Sequence, residues 1–278
     1  MTAQPAWRRI GDGDGATVLA VDYDSAGRPE AGFDRLAAHP ALAGLAVWHA
    51  VQPETGPDPT AEDYLRVWQL PPAAAGPVEA VLGYCVGGVF TGDLADRIAA
   101  RQGFRPQVLL FDPEPVDHGS VLRDFLKALD VMAVLSGPER AAYRARAEAV
   151  HAAGGTDFAA AAAGITAVYE AAAGEAFDRL GLDEEESEEL LDLFRSYVRY
   201  LTAARQLAPE SGWATATALT SAGSSPGARY TGRELVFDTT TAALLEDDRV
   251  AEATARLLSA PAATTSDAIL PSLAGERA

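Results

Sequence analysis

The sequence predicts an α/β protein: a mostly parallel, doubly wound sheet interrupted by one long helical insertion. Three observations carry that expectation. Short, continuous apolar runs recur over roughly the first 115 residues, the pattern of strands buried on both faces. Segments of helical periodicity separate these runs, as parallel strands require crossover connections. From about Gly119 to Pro209 only helical patterns remain, and strand signals then return.

Taken in order, "ATVLAVD" (16–22) reads as the first buried strand. The turn-rich "DYDSAGRP" follows, then "EAGFDRLAAHPAL", with Phe33, Leu36 and Ala37 at helical spacing. "AGLAVWHAV" (43–51) is a second strand and "QPETGPDPT" a polar, proline-rich loop. Thr60 opens a short helix as its N-cap, with Asp63 three residues on, close to a capping box. "PVEAVLGY" is the third strand, followed by a helix over about 88–102. "PQVLLFDPEP" (106–115) is a fourth strand that ends in a proline-bounded loop.

The middle of the chain contains the Ala-rich "FAAAAAGITAVYEAAAGEAF" and then "DEEESEELLDLFRSYVRYL". In the latter Asp183 is an N-cap, and the acids of the first turn favour the positive end of the helix dipole. Leu190, Leu191, Phe194, Val198 and Leu201 share one face. The acidic run therefore reads as a solvated helix start rather than a ligand site. Strands return at "GWATATALTSAG" (212–223) and "RELVFDT" (233–239), and a last helix, "EDDRVAEATARLLSA", follows. The expected organisation is a core of 1–118 with 210–260, a helical insertion of 119–209, and a disordered tail of 261–278.

With 278 residues and 48% apolar content the chain can bury a large core. Its net charge of -18 opposes nucleic acid and anionic membrane as partners. One cysteine excludes an internal disulfide, and no Cys/His cluster offers a metal site. The first 15 residues lack the apolar stretch of a signal peptide, and no apolar run reaches about 18 residues. A cytoplasmic protein without a bound cofactor is the expectation.

The single cysteine stands in "VLGYCVGG" (81–88), directly after a buried strand and before a helix. Gly83-Tyr84-Cys85-Val86-Gly87 fits a nucleophile elbow, in which the nucleophile occupies a strained strand-to-helix turn and its neighbours two positions away must be small. The Val86 amide is then available to a developing oxyanion. Asp112, 27 residues later, ends the strand "VLLFD". Carboxyl ends of neighbouring parallel strands converge on one crevice, so Asp112 and Cys85 can share a site.

With these motifs the chain resembles the thioesterases of polyketide and nonribosomal peptide biosynthesis, of the α/β-hydrolase superfamily. "VLGYCVGG" is similar to that family's strand and elbow, "ARQGFRPQVLLFDPEP" to the helix and acid-bearing strand that follow, and "LVFDTTTAALLEDDRVAEATARLL" to its C-terminal part. The likeness covers roughly half the chain, the helical middle matching a lid only in kind. It implies an α/β-hydrolase fold with Cys85 as nucleophile and Asp112 as the acid. It also implies an oxyanion hole from Val86 and the loop around Ser25 and Ala26. The implied substrate is an acyl group on the phosphopantetheine arm of an acyl or peptidyl carrier protein. Leu122, Phe125, Leu126, Leu129, Phe194 and Tyr197 would line a lid pocket for it, and Arg97, Arg101 and Arg105 could contribute a basic patch towards the acidic carrier.

One departure is large. The family's general-base histidine precedes an apolar pair in the loop after the last strand, and here that loop reads "DTTTAALL", with Thr241 in its place. A threonine is no general base near neutral pH. The chain has four histidines, of which His118 and His49 are the candidate substitutes, while His39 and His151 carry no expected role. A thiol tolerates loss of the base better than a hydroxyl, and a helix N-terminus is expected to leave Cys85 partly ionised. Three readings follow: an acyltransferase or shuttle working through a Cys85 acyl-enzyme, an editing thioesterase that hydrolyses carrier-bound acyl chains, and a catalytically silent carrier- or acyl-binding relative.

Overall fold

The computed structural model describes residues 5–23, 30–69, 75–223 and 225–259. The segments 1–4, 24–29, 70–74 and 260–278 and residue 224 lie outside the described residues, and with them the expected oxyanion contributors Ser25 and Ala26 and the expected tail. Among the described residues seven strands form one sheet: β1 (Trp7–Arg9), β2 (Thr17–Val21), β3 (Ala46–Ala50), β4 (Val78–Tyr84), β5 (Gln107–Phe111), β6 (Thr217–Thr220) and β7 (Arg233–Val236). Their spatial order is β1-β3-β2-β4-β5-β6-β7. All neighbours run parallel except the β1–β3 pair at one edge. The mostly parallel α/β architecture expected from the apolar runs is therefore present.

Nine helices accompany the strands among the described residues: α1 (Phe33–Ala37), α2 (Ala61–Trp68), α3 (Gly88–Gln102), α4 (Ser120–Val131), α5 (Gly137–Gly154), α6 (Phe158–Leu180), α7 (Glu184–Ala204), α8 (Pro209–Trp213) and α9 (Asp248–Ser259). Each face of the sheet carries its own core. On one, α1 and α9 pack Phe33, Leu36 and Val250 against Val18, Ala20 and Phe111. On the other, α2 and α3 place Trp68, Phe90 and Leu94 over Leu19, Val81 and Leu110, and this cluster continues without a break into α4, α6 and α7. Residues 18–21 of β2 are fully buried, as a strand covered on both faces must be.

Local signals formed where expected. Thr60 and Asp63 make a reciprocal capping box on α2, and Asp183 with Glu186 makes another on α7, each satisfying amide donors that a bare helix start leaves open. The four helices α4–α7 lie in sequence between β5 and β6, the stretch expected to be helical. Two expectations need correction. Residues 212–216 do not extend the sixth strand: Gly212 and Trp213 belong to α8, where Gly212 sits against Gly92 of α3 so closely that a Cβ there would fall 2.9 Å from the Gly92 Cα. Strand β1 was not anticipated, because its three residues owe their conformation to pairing with the distant β3. No described helix is long and apolar enough to cross a membrane.

Candidate active site

Strand β4 delivers its chain to Cys85 at the centre of the sheet, between β2 and β5. A single 3₁₀ turn, Cys85–Gly87, leads into α3. Cys85 has φ +49°, one of two non-glycine residues with positive φ among those described. That conformation costs an L-residue about 1–2 kcal/mol, so it persists only where packing enforces it. The glycines on either side show what enforces it. A Cβ on Gly83 would fall 2.5 Å from the Gly88 Cα, and one on Gly87 would fall 2.3 Å from the Val21 carbonyl oxygen. Backbone thus touches backbone on both sides of the elbow, and only hydrogen fits.

Cys85 sits in a cavity of about 480 Å³ lined also by Asp22, Tyr23, Glu114, Asp124, Tyr169, Leu193, Phe194, Tyr197 and Thr241. The site is thus assembled from the sheet's carboxyl ends, α4, α6, α7 and the loop after β7. Phe194 and Tyr197 line it as expected, whereas Phe125 and Leu129 are fully buried in the core beneath. Polar contacts fix several walls: the Tyr197 hydroxyl donates to Asp124 at 2.8 Å, and the Lys127 ammonium to the same carboxylate at 2.9 Å.

The electrostatics at sulfur run against the expectation of an ionised thiol. Cys85 is only half-buried, open through the cavity, yet protein crowds the sulfur itself. Burial pushes the thiol well above its ordinary range, the Glu114 and Asp124 carboxylates push it further, and the Val86 amide pulls the other way. Desolvation and like charge both disfavour a thiolate, and together they outweigh the helix terminus. The surroundings of the Cys85 sulfur favour the neutral thiol.

Asp112 also has positive φ, +41°, and is buried at the end of β5. Its Oδ1 accepts from the Ser221 amide at 2.8 Å, while its Oδ2 is buried without a hydrogen-bond partner. The Ser221 hydroxyl lies 3.1 Å from the Thr241 hydroxyl, and Tyr84 donates to the Thr241 carbonyl at 3.4 Å. Asp112 therefore reaches the cavity wall at Thr241 through Ser221, whereas the Cys85 sulfur makes its hydrogen bond elsewhere.

The two candidate substitute histidines stand elsewhere. His118 packs against His151, ring centroids 4.5 Å apart and the planes tilted by 34°. His49 lies on β3, which β2 separates from the elbow strand, and packs near Phe33 with Arg8 3.4 Å from its Nδ1. Neither lines the Cys85 cavity. The sequence shows each close to a strand's end but not the side on which its ring packs. His39 caps the turn at Pro40–Leu42 instead. The expected basic patch is also largely neutralised: Arg97 pairs with Glu62 at 2.5 Å and Arg105 with Asp96 at 2.6 Å.

One group at the site went unanticipated. Glu114, on the loop leaving β5, brings its Oε2 to 3.6 Å from the Cys85 sulfur, which donates to it. Its other oxygen accepts from Arg123 at 3.0 Å.

No protein-family model matches the chain, and no curated protein matches its sequence. Its fold does match solved structures. A nonribosomal peptide synthetase of four domains, holo-AB3403, is similar at TM-score 0.55 and 12% identity over 92% of this chain, which spans 20% of that protein. The NocB thioesterase domain of the nocardicin cluster is similar at TM-score 0.51 and 17% identity, over 92% of this chain and 99% of that one. The Vlm2 thioesterase domain bound with a dodecadepsipeptide gives TM-score 0.50 and 17% identity, over 91% and 96%. The fold is thus the α/β-hydrolase fold of these thioesterase domains.

Proposed function

We propose that this chain is an enzyme of the thioesterase type in peptide natural-product biosynthesis, and that it transfers acyl groups rather than releasing them to water. In this reading Cys85 accepts an acyl group from the phosphopantetheine thioester of a carrier protein and passes it to a second acceptor. The observation that carries the reading is the pairing of an elbow cysteine with Thr241 in the wall of the same cavity. Attack by a thiol exchanges one thioester for another of similar energy, so the acyl-enzyme forms and empties reversibly. Release to water asks for a stronger proton acceptor than thiol exchange does, because water is a far weaker acid than a thiol, and no histidine lines the cavity to supply it. The Val86 amide, already hydrogen-bonded at the sulfur, is placed to donate to the oxyanion that attack creates. Phe194, Tyr169 and Leu193 offer the acyl chain an apolar wall, with α4–α7 serving as the lid.

Incubating the protein with an acyl-pantetheine thioester and recording its intact mass tests this. A persistent acyl adduct, absent in Cys85→Ala, is the expected result. Free acid without accumulated adduct would make the chain a hydrolysing, editing thioesterase. No adduct and no acid would leave a carrier- or acyl-binding protein.

A further inference from the structure

We propose that Glu114 is the proton acceptor for Cys85, standing in for the histidine that Thr241 replaces. This inference rests on the acyl-transfer reading above and names the residue that makes it workable.

Geometry singles Glu114 out. The sulfur donates to its Oε2 at 3.6 Å. Its own amide donates to the Cys85 carbonyl at 3.3 Å, so the loop is tied to the elbow. Arg123 holds Oε1 at 3.0 Å and is itself held by Asp117 at 2.8 Å, leaving Oε2 for the sulfur. Asp112, the acid implied by resemblance, spends Oδ1 on the Ser221 amide instead. Asp124, another carboxylate of the cavity, is engaged by both Tyr197 and Lys127.

The step balances without another reactant. As the sulfur attacks the thioester carbonyl, a new C–S bond forms and the thiol proton passes to Glu114 Oε2. The tetrahedral oxyanion then collapses, the C–S bond to pantetheine breaks, and the departing sulfur takes the proton back from Glu114. A carboxylate is a weaker base than a thiolate, so the proton moves with bond formation rather than before it. Incoming and outgoing sulfurs are alike, and one carboxylate serves both directions.

A carboxylate that merely sits beside the sulfur would raise the thiol's proton affinity and nothing more, and Glu114→Gln separates the two roles. Alkylation of Cys85 by iodoacetamide needs no protein base and follows the thiolate fraction. Loading from an acyl-N-acetylcysteamine thioester, read by intact mass, uses the acceptor. The variant is expected to alkylate faster at pH 7.5 while loading on the order of 100-fold more slowly. Glu114→Asp, which keeps the carboxylate on a shorter arm, is expected to load at a rate between the two. Faster alkylation with undiminished loading overturns the inference, as does a fall in both rates or an Asp variant no better than Gln. If the wild-type protein takes no acyl group at all, the acyl-enzyme reading itself fails; a loading wild type with an equally competent Gln variant removes only Glu114's role.

Discussion

Gly87→Ala probes whether the elbow is enforced by backbone contact. The added methyl would lie 2.3 Å from the Val21 carbonyl oxygen and 2.9 Å from the Asp22 Cα. Ordinary contact begins near 3.4 Å, so about 1 Å of relative movement is demanded. The neighbour cannot yield easily: residues 18–21 are fully buried and β2 is paired on both sides. Overpacking of this kind costs about 1–3 kcal/mol. At about 2–4 °C of Tm per kcal/mol for a domain of this size, a 2 kcal/mol loss lowers Tm by about 4–8 °C. Gly174→Ala is the control, since nothing lies within 4 Å of its added methyl and it sits inside α6. Helix propensity there favours alanine by about 1 kcal/mol. Thermal unfolding followed by circular dichroism should therefore move the two variants in opposite directions. A Gly87→Ala protein melting within a degree of wild type would refute the claim that β2 holds the elbow in place.

Other measurements bear on the site. Wild-type Cys85 should react with iodoacetamide at pH 7 more slowly than an ordinary thiol, which is about 3% ionised there, because burial and Glu114 favour the neutral form; a rate equal to that of free glutathione would contradict the crowded sulfur. Thr241→His should raise release of free acid from the loaded enzyme, because it returns a base to the cavity beside the Ser221–Asp112 pair, and unchanged turnover would show that residue 241 is not positioned to act on the acyl group. Burial pushes Tyr64 up to about 12 and Tyr197 and Tyr200 well above their usual range. The unfolded chain ionises these phenols near 10 and so binds fewer protons than the folded one above that pH. The stability they contribute is full below about pH 10 and falls above it, the Tyr64 share being lost as the pH rises through about 12. Absorbance at 295 nm should show tyrosines that titrate late in the native protein and near pH 10 in guanidinium.

Much of the frame was legible because its causes are local. The apolar runs mark the central strands, and Thr60 and Asp183 announce their helices within four residues. The Gly-Tyr-Cys-Val-Gly spacing reports a steric demand that the backbone contacts at Gly83 and Gly87 make explicit. What escaped was set by distant partners. Nothing in "DPEP" distinguishes a turn glutamate from one that meets a cysteine 29 residues away. The neutral thiol was misjudged for the same reason: a helix terminus can be read from sequence, but the carboxylates gathered from other segments cannot. His118 and His49 looked suitable by chain position, and only packing reveals the rings' neighbours.

The bond from the Glu114 amide to the Cys85 carbonyl has a consequence for transplantation of this chemistry. Thiol and carboxylate are indexed to each other through main chain, so their separation survives side-chain exchange across the rest of the cavity. A designer who grafts the elbow alone onto another parallel sheet would move the sulfur and leave its register behind. The smallest portable unit is two adjacent strand exits, those of β4 and β5, with the segment from Asp112 to Arg123, loop and first turn of α4, carried intact.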